Sequence, residues 1–120
     1  MDRRLALIDE LVVRFNSGDL AHFVELLHPA VEVRSELMAN PGTHSGREGY
    51  LVWAQHWMEA WSDQHVRLAQ EPELIGDDEA LALAHQTARG AGSAIEVEML
   101  VGYRLAFAGD LITRFHVFEP

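Results

Sequence analysis

The helical hydrophobic period of this chain disappears just after Ser62, and that change limits the fold more than any other feature. Up to that point apolar residues recur at helical spacing, with one short alternating stretch between; beyond it they alternate. Leu5, Ile8, Val12 and Phe15 mark a first helix from Asp2 to Phe15, followed by Asn16-Ser17-Gly18, residues that tolerate the left-handed conformation at a helix end. Asp19 is placed to cap a second helix bearing Leu20, Phe23, Val24 and Leu27, which His28-Pro29 stops. Ser45 and Glu48 have the spacing of a capping box for a third helix. Its stripe of Tyr50, Trp53, Ala54, Trp57 and Trp61 puts four aromatic rings on one face, which must be buried against something broad and apolar.

Between the second and third helices, Val31 and Val33 alternate with Glu32 and Arg34, the pattern of a half-buried strand, and Asn40-Pro41-Gly42-Thr43-His44 reads as a turn. Four further strands are predicted over residues 64–75, 79–89, 94–108 and 111–119, punctuated by Asp77-Asp78, Gly90-Ala91-Gly92-Ser93 and Gly109-Asp110. Pro72 within the first of these implies a bulge or an edge, since proline cannot donate to a ladder. Helices first and strands afterwards give an α+β fold: three N-terminal helices packed on a curved, mainly antiparallel sheet. With 120 residues, 48% of them hydrophobic, and no repeat or linker, one domain over 1–120 is expected.

Charge and composition exclude several function classes. Nineteen acidic residues oppose nine arginines and no lysine, a formal charge of −10 that would repel a phosphate backbone, so nucleic acid is not an expected partner. No apolar run approaches a membrane span, and the start Met1-Asp2-Arg3-Arg4 lacks the apolar stretch of a secretory signal. The absence of cysteine removes disulfides and thiolate chemistry and suits a reducing, cytoplasmic compartment. His22, His28, His44, His56 and His65 show no metal-ligand spacing, and the glycines form no phosphate or dinucleotide loop, so neither metal nor cofactor is expected.

Strand parity decides what could line a pocket. In the 79–89 segment Leu81, Leu83, His85, Thr87 and Arg89 share a face, opposed by Ala80, Ala82, Ala84, Gln86 and Ala88. In the 94–108 segment Ile95, Val97, Met99, Val101, Tyr103, Leu105 and Phe107 share another. The bulky sets are expected to meet the tryptophan helix. In the last strand Ile112, Arg114, His116 and Phe118 oppose Leu111, Thr113, Phe115 and Val117, and periodicity leaves the choice open.

Phe15-Asn16-Ser17-Gly18-Asp19-Leu20, Val31-Glu32-Val33, Ser45-Gly46-Arg47-Glu48-Gly49 and Gly109-Asp110-Leu111-Ile112-Thr113-Arg114-Phe115, in this order, resemble the SnoaL-like branch of the nuclear-transport-factor-2-like superfamily. The resemblance implies a cone-shaped α+β barrel with an elongated pocket, and frequent homodimers. It implies no single activity, for the superfamily holds ketosteroid isomerases, polyketide cyclases, dehydratases, epoxide hydrolases and proteins that only bind or scaffold. By similarity the isomerase base falls at Ser35 and its oxyanion partners at Leu11 and Tyr103, so steroid isomerisation lacks its parts. Every aspartate lies in an expected helix, cap or turn, which leaves the epoxide-hydrolase arrangement equally incomplete. A polyketide-cyclase chemistry, one base plus polar groups for an enol oxygen, stays open.

The same alignment puts Arg114, His116 and Phe118 on the pocket wall. Ala80, Ala82, Ala84, Leu100, Phe115 and Val117 would then face outward, an apolar sheet surface that a second subunit is expected to cover as a homodimer. The expected catalytic set is His116 as base with Tyr103, Arg114 and His85 assisting, because imidazole titrates near neutral pH and a phenol or guanidinium can hold an enolate oxygen. Trp53, Trp57, Tyr50, Leu11, Phe15, Leu83, Met99, Val101, Phe118, Ser35 and Glu36 are the expected ligand contacts. Three functions compete: acid–base isomerisation, cyclisation or dehydration of a small apolar carbonyl compound; non-catalytic binding of a small hydrophobic ligand; and a dimeric association module.

Overall fold

Ile8 and Leu11 turn inward from α1 (Arg3–Asn16), with Phe15 packed beside them, so the apolar stripe legible in the sequence is the face this helix buries. The structure, a computed structural model, describes residues 2–120. Asp2 caps α1 by accepting from the Arg4 backbone N–H at 2.8 Å, and Gly18, at φ +78°, turns the chain just beyond its end. Asp19 caps α2 (Leu20–Val24), accepting from His22 N–H at 3.1 Å. This helix is shorter than expected. Leu27, His28 and Pro29 already belong to β1 (Leu27–Ser35).

The expected turn before the third helix contains a short strand, β2 (Gly42–Ser45), which pairs antiparallel with β1. Ser45 occupies the cap position of α3 (Gly46–Ala60), but its side chain makes no capping hydrogen bond, so the capping box is not formed. The helix is held in other ways. Arg47 donates to the Leu27 carbonyl at 2.8 Å, and Asn40 and Trp53 exchange two hydrogen bonds, Asn40 Nδ2 to the Trp53 carbonyl at 2.9 Å and Trp53 Nε1 to the Asn40 carbonyl at 3.0 Å.

Trp61 opens β3 (Trp61–Leu68) rather than ending α3. Pro72 divides the first long strand expected from the sequence, leaving β3 and the three-residue β4 (Glu73–Ile75), both paired with β5 (Glu79–Gly90). β6 (Glu96–Ala108) and β7 (Leu111–Phe118) complete a curved seven-stranded sheet in the order β2-β1-β7-β6-β5-β3. It is antiparallel except where β1 runs parallel to β7. The path ends on β2 and β3, so the sheet is open and is not hydrogen-bonded shut as a barrel. Leu27, Val31, Val33, Tyr50, Val101, Ile112 and Val117 are fully buried at the centre of the core. Among the described residues no helix is long and apolar enough to cross a membrane.

Register corrects two of the three facing assignments. Tyr103 faces the helices, as expected from its parity. Its cross-strand partners are Ala82 and Val117, and residues directly opposite share a face, so β5 turns its alanines inward and β7 turns Phe115 and Val117 inward. Ala80, Ala82, Ala84 and Ala88 are each at most 3% exposed. The reason is volume. The aromatic residues of α3, together with Tyr103 and Phe115, already fill the concave side, and small residues on β5 leave them room.

Candidate functional site

Between α1, α3 and the concave face of the sheet lies a hollow of about 70 Å³. That is well below the roughly 300–1,000 Å³ of pockets for drug-sized ligands, so its size suits a compact molecule. Five of its aromatic walls touch one another: Phe23 stacks on Tyr50 at 5.0 Å, and Tyr50, Trp53 and Tyr103 surround Phe115 at 5.6, 6.2 and 5.6 Å. Ile8, Leu11, Phe15, Leu37, Val66, Leu68 and Leu105 supply aliphatic and further aromatic surface, while Ala82 and Ala84 form the floor on β5. Met58, 36% exposed, also lines it.

Apart from the Tyr50 hydroxyl and the Trp53 indole, the polar groups of the lining belong to one relay. Tyr103 Oη donates to Gln86 Oε1 at 3.2 Å, Gln86 Nε2 donates to Gln64 Oε1 at 3.2 Å, and Trp57 Nε1 donates to the same Gln64 oxygen. Burial pushes both the Tyr50 and the Tyr103 phenols above their ordinary range, and for Tyr50 the neighbouring Tyr103 adds to the effect. Among the described residues they are the only ionisable side chains in the lining.

Of the residues expected to bind ligand, Tyr50, Trp53, Trp57, Leu11 and Phe15 line the hollow, and so does Tyr103 of the expected catalytic set. The others lie elsewhere. His116, Arg114 and His85 stand on the outer face of the sheet, because β5 and β7 carry the opposite parity to the one assigned. His116 Nε2 lies 3.0 Å from Glu36 Oε2, and Glu36 also accepts from Arg34 at 3.1 Å. His85 lies 3.3 Å from Glu98, and Arg114, 58% exposed, lies 3.9 Å from Glu32. Leu83 and Phe118 share that outer side, where the Phe118 ring covers Gly102. Val101 and Met99 pack in the core without reaching the hollow, and Ser35, 4% exposed, accepts from Leu37 N–H at 3.3 Å.

The functional side chains that sequence reasoning missed are Gln64 and Gln86. A buried glutamine on the alanine face of β5 within reach of a tyrosine on the next strand is a signal in principle, but only once the register that pairs Ala82 with Tyr103 and Gln86 with Met99 is known. Phe115, expected on the outer face, lines the hollow instead, and Phe23, Val66 and Leu68 join it without having been among the expected ligand contacts.

The sequence signature of the SnoaL-like domain matches residues 8–115. The chain belongs to the SnoaL-like domain family. Solved structures of this architecture share its fold at low sequence identity. A protein of unknown function from Burkholderia pseudomallei, described as NTF2-like, has a TM-score of 0.88 at 14% identity, covering 100% of this chain and 92% of that one. AclR, a putative hydroxylase from Streptomyces galilaeus, has 0.78 at 17% identity, covering 96% and 76%. A putative polyketide cyclase from Sinorhizobium meliloti has 0.75 at 20% identity, covering 93% of each chain. No curated protein matches the chain. The SnoaL-like fold thus has neighbours described as a cyclase and as a hydroxylase, and the residues of this hollow must carry any statement about its chemistry.

Proposed function

We propose that this SnoaL-like protein binds a compact, largely apolar molecule in the hollow beneath α3, without moving protons through its own side chains. The observation that carries the reading is the lining: aromatic and aliphatic side chains, one uncharged relay, and two phenols that burial holds neutral. Isomerisation, cyclisation or dehydration of a carbonyl compound needs a group within hydrogen-bond reach that titrates near the working pH. The imidazoles once expected there lie on the other side of the sheet. Binding is therefore better supported than acid–base catalysis.

In this reading the curved sheet and helices act as a cone around the ligand, in a cytoplasmic protein, and a second copy of the chain covers the outer face. Leu81, Leu83, Leu100 and Phe118 support that last part, for they bring apolar surface together across three adjacent strands. Proton exchange tests the central claim. In deuterated buffer with acetophenone, the protein should leave the deuterium incorporation measured by NMR at the rate of buffer alone. Incorporation that rises in proportion to the protein would establish acid–base catalysis and overturn the reading.

A further inference from the structure

The relay in the lining has a direction that one end determines. An indole N–H can only donate. Trp57 Nε1 donates to Gln64, so the Gln64 amide presents its oxygen to Trp57. Gln86 meets that same oxygen at 3.2 Å, and an acceptor can face only a donor, so Gln86 turns its amide nitrogen to Gln64 and its own oxygen the other way. At that oxygen stands Tyr103 Oη, 3.2 Å away, whose one proton is thereby committed to Gln86. What Tyr103 retains for the hollow is a lone pair.

Tyr50 is the reverse case. It is 1% exposed and lines the hollow, and among the described residues none hydrogen-bonds to its hydroxyl. Among the described residues no fully sealed side-chain nitrogen or oxygen lacks a partner, so this hydroxyl opens onto the hollow rather than into packed core. Its proton is free to be donated. Both tyrosine rings stand 5.6 Å from Phe115, so the rings that carry the free donor and the free acceptor flank the same side chain, and the Tyr103 phenol is near enough to act on that of Tyr50.

We propose that the hollow selects a compact, largely apolar molecule carrying a hydroxyl group, which accepts from Tyr50 and donates to Tyr103. The inference rests on the binding reading above and specifies its ligand class. An ether or a ketone can satisfy Tyr50 alone, and a hydrocarbon satisfies neither, leaving buried polar groups without a partner.

Phenol, anisole and toluene, titrated calorimetrically into the full chain, differ in this respect and little in shape. Phenol should bind about tenfold more tightly than anisole, the effect of one well-placed hydrogen bond. In Tyr103→Phe that advantage should shrink to about twofold or less, because the acceptor is gone. In Gln86→Leu the Tyr103 proton is released, so anisole should tighten relative to phenol, whereas a merely structural role for Gln86 would weaken all three alike. Equal affinity of the three molecules for the unsubstituted protein, a phenol advantage that survives Tyr103→Phe, or uniform weakening in Gln86→Leu would overturn the inference while leaving apolar binding intact. Absence of binding by all three would instead overturn the binding reading itself.

Discussion

Tyr50 and Tyr103 are the two tyrosines of the chain, and both are held neutral by burial. A phenol whose folded value lies above its unfolded one stabilises the fold fully below the unfolded value, about 10, and that contribution is lost progressively as the pH rises beyond it. Alkali therefore destabilises this protein through the same two residues that are proposed to recognise ligand. Spectrophotometric titration should show no phenolate band as the pH passes the range in which free tyrosine ionises; the band should appear only together with loss of far-UV circular dichroism. Phenolate absorbance at ordinary tyrosine pH with the dichroism intact would mean that at least one hydroxyl reaches bulk water. The aromatic identity of the helix stripe was legible in the sequence, since Tyr50, Trp53 and Trp57 recur at helical spacing and all three line the hollow. The relay was not, because Gln64 and Gln86 have no significance until β3 is paired with β5, β5 with β6, and Trp57 is packed beside them.

β3 is an edge strand, and its exposed backbone is partly satisfied by a side chain rather than by another strand. Asn16, the last residue of α1, donates from Nδ2 to the Val66 carbonyl at 2.7 Å and accepts from Val66 N–H at 2.8 Å. One amide thus pairs with the strand as a neighbouring peptide unit would, tying the helix to the edge that borders the hollow. Asn16→Ala should cost about 1–3 kcal/mol in urea unfolding, from two part-buried hydrogen bonds. Asn16→Asp should not restore the loss, because a carboxylate keeps the acceptor but turns charge towards the Val66 carbonyl; full stability in Asn16→Asp would contradict the pairing. In sequence Asn16 reads only as a residue suited to a helix end, and its second role depends on where β3 passes. Similar limits apply to α2 and to the long strand containing Pro72. Helical spacing extended α2 to Leu27, but the chain has already become β1 there, where Leu27 pairs with Ile112 of β7. Proline marked the strand interruption correctly, although only the fold shows that both halves lie along β5.

Across the whole molecule, the sheet has one face against the helices and one that carries His85, His116, Leu81, Leu83, Leu100 and Phe118. The charged groups on that outer side are arranged in pairs, among them Arg104 with Glu79 at 3.1 Å and Arg89 with Glu96 at 2.8 Å, so its centre is apolar and its surroundings carry both signs. Exposed pairs of this kind contribute little stability individually, and partner choice is the more useful thing they can provide. If a second copy covers this face, Leu83→Glu should convert a dimer to a monomer in sedimentation equilibrium with the far-UV spectrum unchanged. An unsubstituted chain that sediments as a monomer would exclude that arrangement.

Local sequence alone determined the order of the three helices and the long strands, the turns between β5, β6 and β7, the buried aromatic stripe of α3 and the inward face of β6. It also carried the family resemblance. The inward faces of β5 and β7 were decided only by tertiary structure, and with them the exclusion of His85, Arg114 and His116 from the hollow. The physical reason is that alternation has a period of two: a shift by one residue exchanges the faces while leaving the pattern equally regular. Side-chain bulk did not break that tie correctly, since a concave surface already occupied by aromatic rings needs alanines opposite them, and no single strand contains that information.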